Sequence, residues 1–295
     1  ELLSINQIKP DLILFLGDSN SVCAALPLKK EGYNIGHIEA GMRSRDRRML
    51  EEINRTVCDH CSDIFFVYHK DYKANLIAEN IPSEKIHVVG NTIVEPCLLI
   101  RTRLFETPKR NDMILIDIHR PENFNYPRRL QTIFDFARRL AEHYNVCVKL
   151  LYFKRLIDIL SLHPDLLGNN SNSNNSNKIE IIDLMPYQQY LETAYHSQCV
   201  ISDSGSACEE LPLIEVPVIV PRDFTKRPQS YESQCSLPLY LDDFIGGNIG
   251  KSVEFIDNYA TNPKRNFDWL LPNTSEFTTS QLIINHIKGF LRKQE

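Results

Sequence analysis

"DIFFVYHKDYKANLIAENIPSEKIHVVG", residues 63–90, carries the pattern that decides the fold. A short β-rich apolar run (DIFFVYH) gives way to a helical pattern (KDYKANLIAEN), and a second apolar run (KIHVVG) follows. Apolar runs alternating with helices are the mark of a parallel sheet covered by helices on both faces. The alternation extends in both directions. Upstream lie the strand candidates DLILFLG and NIGHIEA, with helical patterns in VCAALPLKK and EEINRTVCDHC. From about residue 110 a second series begins: MILIDIH, NVCVKLLY, KIEIIDL, QCVISDS, VPVIVPR and LPLYL. The segment NTIVEPCLLIRTRLFETPKRND joins the two, and its charged, Pro-containing end near residues 104–112 is the expected linker. The expected division is a first domain at 1–105, a second at 106–275 and a C-terminal helix at 276–295. The text opens in mid-stride, INQIKPDLILFLGDSN reading as the end of a helix running into a strand, so the first domain is expected to be incomplete.

With 295 residues the chain is long enough for two ordinary domains. A net charge of -5, with basic residues scattered or local, argues against a protein that coats nucleic acid. No apolar run reaches the roughly 18 residues needed to span a bilayer, and no signal peptide opens the text. Most of the eight cysteines lie inside apolar segments, the pattern of buried free thiols in a reducing compartment, and a cytoplasmic location is expected. GNNSNSNNSN, residues 168–177, has no apolar side chain to pack and is expected to be a surface insertion.

Ligand sites in open α/β sheets lie beyond the carboxyl ends of the strands. Those ends carry Gly17-Asp18-Ser19, Glu39-Ala40-Gly41, His119-Arg120-Pro121-Glu122-Asn123, Asp203-Ser204-Gly205-Ser206 and Arg222-Asp223. Any one of them could be a cap; together they point to a site in a cleft between two domains. SDSGSACEE (202–210) turns from strand to helix, where small residues and free N–H groups suit a phosphate, although a plain N-cap by Asp203 or Ser204 explains it equally. Glu209 and Glu210 could accept from a ribose diol or simply favour the helix N-terminus. His119 at a strand tip can donate to a phosphate or protonate a leaving group. Arg222, Lys226 and Arg227 in PRDFTKRP suit a diphosphate.

HIEAGMRSRDRRMLEEINR, residues 37–55, packs five arginines among three glutamates. Glu39 ends a strand, and Glu51 and Glu52 open a helix, with Arg55 on the same helical face as Glu51. Carboxylates on separate elements, with cations beside them, can take a proton from one face of a substrate and return it to another. Cys58, His60 and Cys61 have poor helical spacing for zinc, so no metal is expected.

GDSNS, HIEAGMRS, EEINR, GNT, HRPEN, DSGSACEE and RDFTKRP occur in order, from about residue 8 to 245. Together they resemble the UDP-N-acetylglucosamine 2-epimerase family in its non-hydrolysing branch. The resemblance implies a two-domain α/β fold of GT-B type, two Rossmann-like domains with the nucleotide sugar in an interdomain cleft. It implies that UDP is eliminated across C1–C2 as the C2 proton is removed, then added back with the proton on the other face. No cofactor is implied; the partners implied are a UDP-sugar substrate and a second copy in a homodimer. By the same resemblance Asp18, Glu39 and Glu51 match the catalytic carboxylates, and His119 the histidine near the diphosphate. Arg55 follows Glu51 as the family pattern demands. Ser204, Gly205 and Ser206 match the phosphate turn, Glu210 the ribose-binding glutamate, Arg227 a sugar or phosphate contact, and Tyr190 an aromatic against the uracil.

The sequence also departs from the pattern. The family's Gly-x-Arg-Pro-Glu loop is absent from this text, Phe153-Lys154 stands where a His-Pro pair is usual, Leu50 replaces a proline, and Ser206 replaces a glycine that a negative φ would make dispensable. The resemblance leaves the substrate open between UDP-GlcNAc, giving UDP-ManNAc, and a UDP-2-acetamido-2,6-dideoxy-L-hexose. Three alternatives to the epimerase reading remain open: a hydrolysing 2-epimerase, a GT-B glycosyltransferase, and an inactive truncated UDP-binding paralogue.

Overall fold

The structure, a computed structural model, describes residues 9–47, 49–168, 178–240, 247–272 and 276–293. Most of the low-complexity stretch, residues 169–177, lies outside them, as does Arg48. The chain divides into two compact units, one of residues up to Glu95 together with those from Asp268 onward, the other Pro96–Phe267.

In the first unit β1 (Ile13–Leu16), α1 (Ala25–Lys30), β2 (Ile35–Ile38), α2 (Leu50–Cys61), β3 (Ile64–Val67), α3 (Lys70–Ala78) and β4 (Ile86–Val88) alternate along the chain. The strands form one parallel sheet in the order β1-β2-β3-β4. Successive side chains of β3 point to opposite faces. Phe65 and Val67 pack with Tyr72 and Leu76 of α3, whereas Ile64 and Phe66 pack against Ile283. Both faces are covered, which is why IFFV is apolar without alternation.

The second unit contains α4 (Val94–Leu104), whose first two residues fall in the first unit, then β5 (Met113–Asp117), α5 (Pro121–Phe124), α6 (Pro127–Tyr144), β6 (Cys147–Leu151), α7 (Lys154–Leu162), β7 (Ile179–Ile182), α8 (Tyr187–Tyr195), β8 (Cys199–Ser202), α9 (Ala207–Glu210), β9 (Val218–Val220), α10 (Pro228–Glu232), β10 (Ser236–Pro238) and α11 (Gly250–Asp257). Its parallel sheet runs β10-β9-β8-β5-β6-β7. Strand order reverses between β5 and β8, so the crevice beyond their carboxyl ends is the natural ligand position of this unit. α6 buries Leu130, Ile133, Phe134, Ala137, Leu140 and Ala141 at helical spacing and stops at Asn145, whose φ of 55° is left-handed.

The chain then returns to the first unit through α12 (Thr279–Arg292), opened by a capping box between Thr278 and Gln281. The sequence reading set residues 276–295 apart and drew its first boundary at 105. The division observed falls ten residues earlier, at 95/96, and α12 counts with the first unit because Ile283, Leu282, Ile287 and Phe290 complete the far face of its sheet.

α2 is inside out. Its buried side carries Glu52, Asn54, Arg55, Cys58, Asp59 and Cys61, while Leu50, Ile53 and Val57 are exposed. A helix that turns its polar side inward must supply those buried groups with hydrogen-bond partners.

Candidate active site

Arg55 is wholly buried, and its Nη2 donates to Asp18 Oδ2 at 2.5 Å and to Glu39 Oε1 at 2.8 Å. One guanidinium nitrogen thus joins carboxylates from the ends of two adjacent strands. Asn54 Nδ2 holds the Asp18 carbonyl at 3.1 Å, so successive residues of α2 fix both ends of Asp18. Glu39 follows the last residue of β2 with a φ of 69°, a left-handed conformation that costs a non-glycine residue on the order of 1–3 kcal/mol. Glu51 is half-buried in the first turn of α2, one helical turn before Arg55. Glu52 accepts from the N–H groups of Ser44 (2.9 Å) and Arg45 (2.8 Å) and from Ser44 Oγ (3.0 Å), tying down the arginine-rich loop. Arg55 is expected among the substrate-binding residues, and its guanidinium here bonds both Asp18 and Glu39. Cys58 and Cys61 pack among Phe15, Val22, Ala25 and Ile35, while His60 lies outside, 3.5 Å from Glu79.

In the second unit Asp117 and Ser202 end paired strands, and Ser202 Oγ donates to Asp117 Oδ2 at 2.9 Å. Asp203 is fully buried, but it does not cap its own turn. It accepts from the backbone N–H groups of His119 and Arg120, both at 3.0 Å, and from Asn123 Nδ2 at 2.9 Å. It therefore shapes the HRPEN turn, a role the sequence reading missed because 80 residues separate the partners. His119 Nδ1 lies 3.3 Å from Asp117 and 3.5 Å from Asp203. Burial alone would lower the His119 pKa; these two carboxylates outweigh it, and the imidazole is raised above its usual value. Phe153, which takes the place of the usual His-Pro, sets its ring edge-on to His119 with centroids 6.1 Å apart.

The SDSGS turn follows. Ser204 N–H donates to Ser202 Oγ at 3.0 Å, the Ser204 and Ser206 hydroxyls lie 3.1 Å apart, and Ser206 has a φ of -67° that any residue adopts. The helix expected after it is only the four residues of α9, passing at once into a 3-10 turn over Leu211–Ile214 that contains Pro212. Its dipole is correspondingly small, which shifts any hold on an anion to local N–H groups, hydroxyls and cations. Arg227 grips Glu209 with two bonds, Nε to Oε1 at 2.5 Å and Nη2 to Oε2 at 3.2 Å. The guanidinium lies against Gly205, where a Cβ would overlap its present position. Arg222 donates to the Asp203 carbonyl at 3.3 Å and pairs with Glu122 at 3.0 Å. Burial, reinforced by neighbouring Glu209, pushes Glu210 up to about 7. Tyr190, in the first turn of α8, has its hydroxyl raised well above the usual range by burial and by the charges of Asp117 and Glu210. The second-unit residues thus gather around the ends of β5 and β8.

Two parallel α/β sheets, each with polar and charged groups beyond its strand ends, are the class of fold in which ligands sit at the carboxyl ends of strands. The chain belongs to the UDP-N-acetylglucosamine 2-epimerase family, whose model matches residues 3–241. The UDP-N-acetylglucosamine 2-epimerase of Methanocaldococcus jannaschii is 32% identical over 276 residues, covering 88% of this chain and 71% of the relative. That of Methanococcus maripaludis is 34% identical over 246 residues, covering 78% of this chain and 64% of the relative, so this chain spans less than two thirds of that protein's length. Among solved structures, the M. jannaschii UDP-GlcNAc 2-epimerase in complex with UDP-GlcNAc and UDP superposes with a TM-score of 0.77 at 28% identity, covering 97% of this chain and 77% of the other. The Neisseria meningitidis UDP-GlcNAc 2-epimerase gives a TM-score of 0.80 at 24% identity, covering 97% and 78%, and shares the fold. Among the described residues no helix is long and apolar enough to cross a membrane.

Proposed function

We propose that this chain is a UDP-N-acetylglucosamine 2-epimerase of the non-hydrolysing type, inverting C2 of a UDP-2-acetamido sugar by elimination and re-addition of UDP. The observation that carries the reading is the Arg55 bridge between Asp18 and Glu39 in a chain of this family. A carboxylate takes the C2 proton while the C1–O bond to the diphosphate breaks, and the electron pair of the C–H bond becomes the C1–C2 double bond. UDP leaves with that C–O pair. Re-addition returns UDP to C1 and a proton to the opposite face of C2, so two acid–base groups are required. Asp18, Glu39 and Glu51 are assigned to this proton traffic, with the Arg55 guanidinium holding Asp18 and Glu39 side by side.

His119 is assigned to the departing diphosphate, its raised pKa favouring the cation that neutralises it. Ser204, Gly205 and Ser206 are assigned to the phosphates, Glu210 to the ribose and Tyr190 to the uracil. Arg227 is assigned to shaping the phosphate turn through Glu209. The reading takes a cytoplasmic homodimer as the working form, and sedimentation at micromolar concentration tests the dimer.

The reaction type is tested by incubating the chain with UDP-GlcNAc in deuterated water and identifying the products. UDP-GlcNAc and UDP-ManNAc both labelled at C2 are expected. Free ManNAc would transfer the chain to the hydrolysing branch, and unlabelled, unchanged UDP-GlcNAc would contradict the reading.

A further inference from the structure

Behind Asp18 and Glu39 lies a buried charge cluster that the chemistry above does not use. His37, on β2, is wholly buried between two acceptors, with Nδ1 2.6 Å from Asp59 Oδ1 and Nε2 2.8 Å from the Gly17 carbonyl. A neutral imidazole has one N–H and can donate to only one of them; the imidazolium donates to both. Burial alone would favour the neutral ring, but Asp59 outweighs it and pushes the His37 pKa up to about 10. The second Asp59 oxygen accepts the Gly41 N–H at 3.2 Å and pairs with Arg43 Nη2 at 2.8 Å. Burial would raise the Asp59 carboxyl; His37 and Arg43 hold it below its usual value. Arg43 also meets Glu79, the C-cap of α3, at 2.6 Å, and among the described residues the Cys58 thiol of α2 is the other titratable group against His37.

Two features tie this cluster to the carboxylates. The carbonyl that His37 holds belongs to Gly17, the residue before Asp18. Glu39 stands between His37 and Gly41, both of which bond to Asp59, so one carboxylate closes a loop over the strained Glu39 backbone. Gly41, with a φ of 76°, leaves no room for a Cβ, which would overlap the Tyr72 carbonyl, so this end of the loop is fixed as well.

We propose that the His37 imidazolium and Asp59 form a clasp that positions Asp18 and Glu39 for proton transfer at C2, an inference resting on the function read above. Both are positioning residues, acting through the Gly17 and Gly41 backbone.

The test compares His37→Gln and Asp59→Asn with the wild-type chain in C2 deuterium exchange, KM for UDP-GlcNAc and affinity for UDP. The clasp predicts a fall in kcat on the order of 10²-fold, the effect of misplacing a reacting group by about 1 Å, with KM and UDP affinity unchanged. It also predicts that wild-type kcat falls as pH rises through about 10, and that His37→Gln lacks this limb. A folded variant with wild-type kcat overturns the proposal. Should either variant fail to fold, nitrogen NMR of the wild-type imidazole near neutral pH decides: two protonated ring nitrogens support the clasp, and one bearing a lone pair overturns it. Absence of exchange in the wild-type chain contradicts the function reading instead, and the clasp then stands or falls on that spectrum.

Discussion

Arg55 joins two carboxylates of the candidate site through a single nitrogen. It is fully buried, and the Asp18 and Glu39 side chains it bridges keep 20% and 17% of their exposure. Removing a buried partner leaves the opposite charges uncompensated. Arg55→Met is therefore expected to destabilise the first unit by about 3 kcal/mol, the low end for a buried pair because the carboxylates retain contact with water. Chemical denaturation monitored by tryptophan-independent circular dichroism measures it, and an unchanged midpoint would remove Arg55 from the fold's supports. Glu210 offers a pH handle. With its pKa at about 7, it is mostly protonated below that pH and ionised above it. If its carboxylate accepts from the ribose, UDP-GlcNAc affinity falls as pH drops through about 7, and Glu210→Gln flattens the profile. The sugar's diphosphate is fully ionised across this range, so a slope surviving in the variant would exclude Glu210.

At this scale the sequence was legible where residues act locally. Glu39 announced itself by standing at a strand end, and His119 by opening HRPEN. Arg55 was legible as a site residue but not as a bridge, since its partners lie 37 and 16 residues away. His37 sat in the same quoted stretch without a role, because a histidine inside a strand reads as core until its two acceptors are seen.

Strands and helices were the most legible features, because the strands are short apolar runs bounded by turn residues, and β3, β8 and β9 among them are buried on both faces. α9 was not, for the signal that starts a helix is clear in SDSGSACEE while the Pro212 that ends it was passed over. α12 was seen as a helix, but its partner sheet lies some 200 residues earlier in the chain. Its docking supplies a further prediction. His87 on β4 and His286 on α12 stack with centroids 3.8 Å apart. Burial, the neighbouring His286 and the charges of Lys73 and Lys293 lower His87 to about 4, and burial lowers His286. Folded pKa values below the unfolded value of 6.5 mean that the unfolded state binds protons first. The pair's contribution is present above pH 6.5 and is lost as pH falls towards about 4. Hydrogen exchange along Thr279–Arg292 is expected to accelerate over that window in the wild-type chain and to accelerate less in His87→Phe, where His286 alone keeps a lowered pKa, while equal acid sensitivity in both would assign the effect elsewhere.

At the scale of the whole molecule, the proposed function divides its labour between two units, proton chemistry in the first and nucleotide recognition in the second. Residues 96–267 form a contiguous unit with its own apolar core around α6. That fragment is expected to fold and bind UDP without catalysing exchange; an unfolded fragment, or one blind to UDP, would contradict this division. The division was legible from the two series of strands, whereas the return of the chain to its first unit was not, because no local signal records which sheet a late helix covers.

The central claim is that the carboxylate pair held by Arg55 moves the C2 proton. Its most direct test is the rate of C2 deuterium incorporation into UDP-GlcNAc by Glu39→Gln, with UDP affinity measured on the same sample. The account predicts exchange reduced on the order of 10²–10⁴-fold, as for loss of a general base, at unchanged UDP affinity. Exchange at the wild-type rate would contradict it.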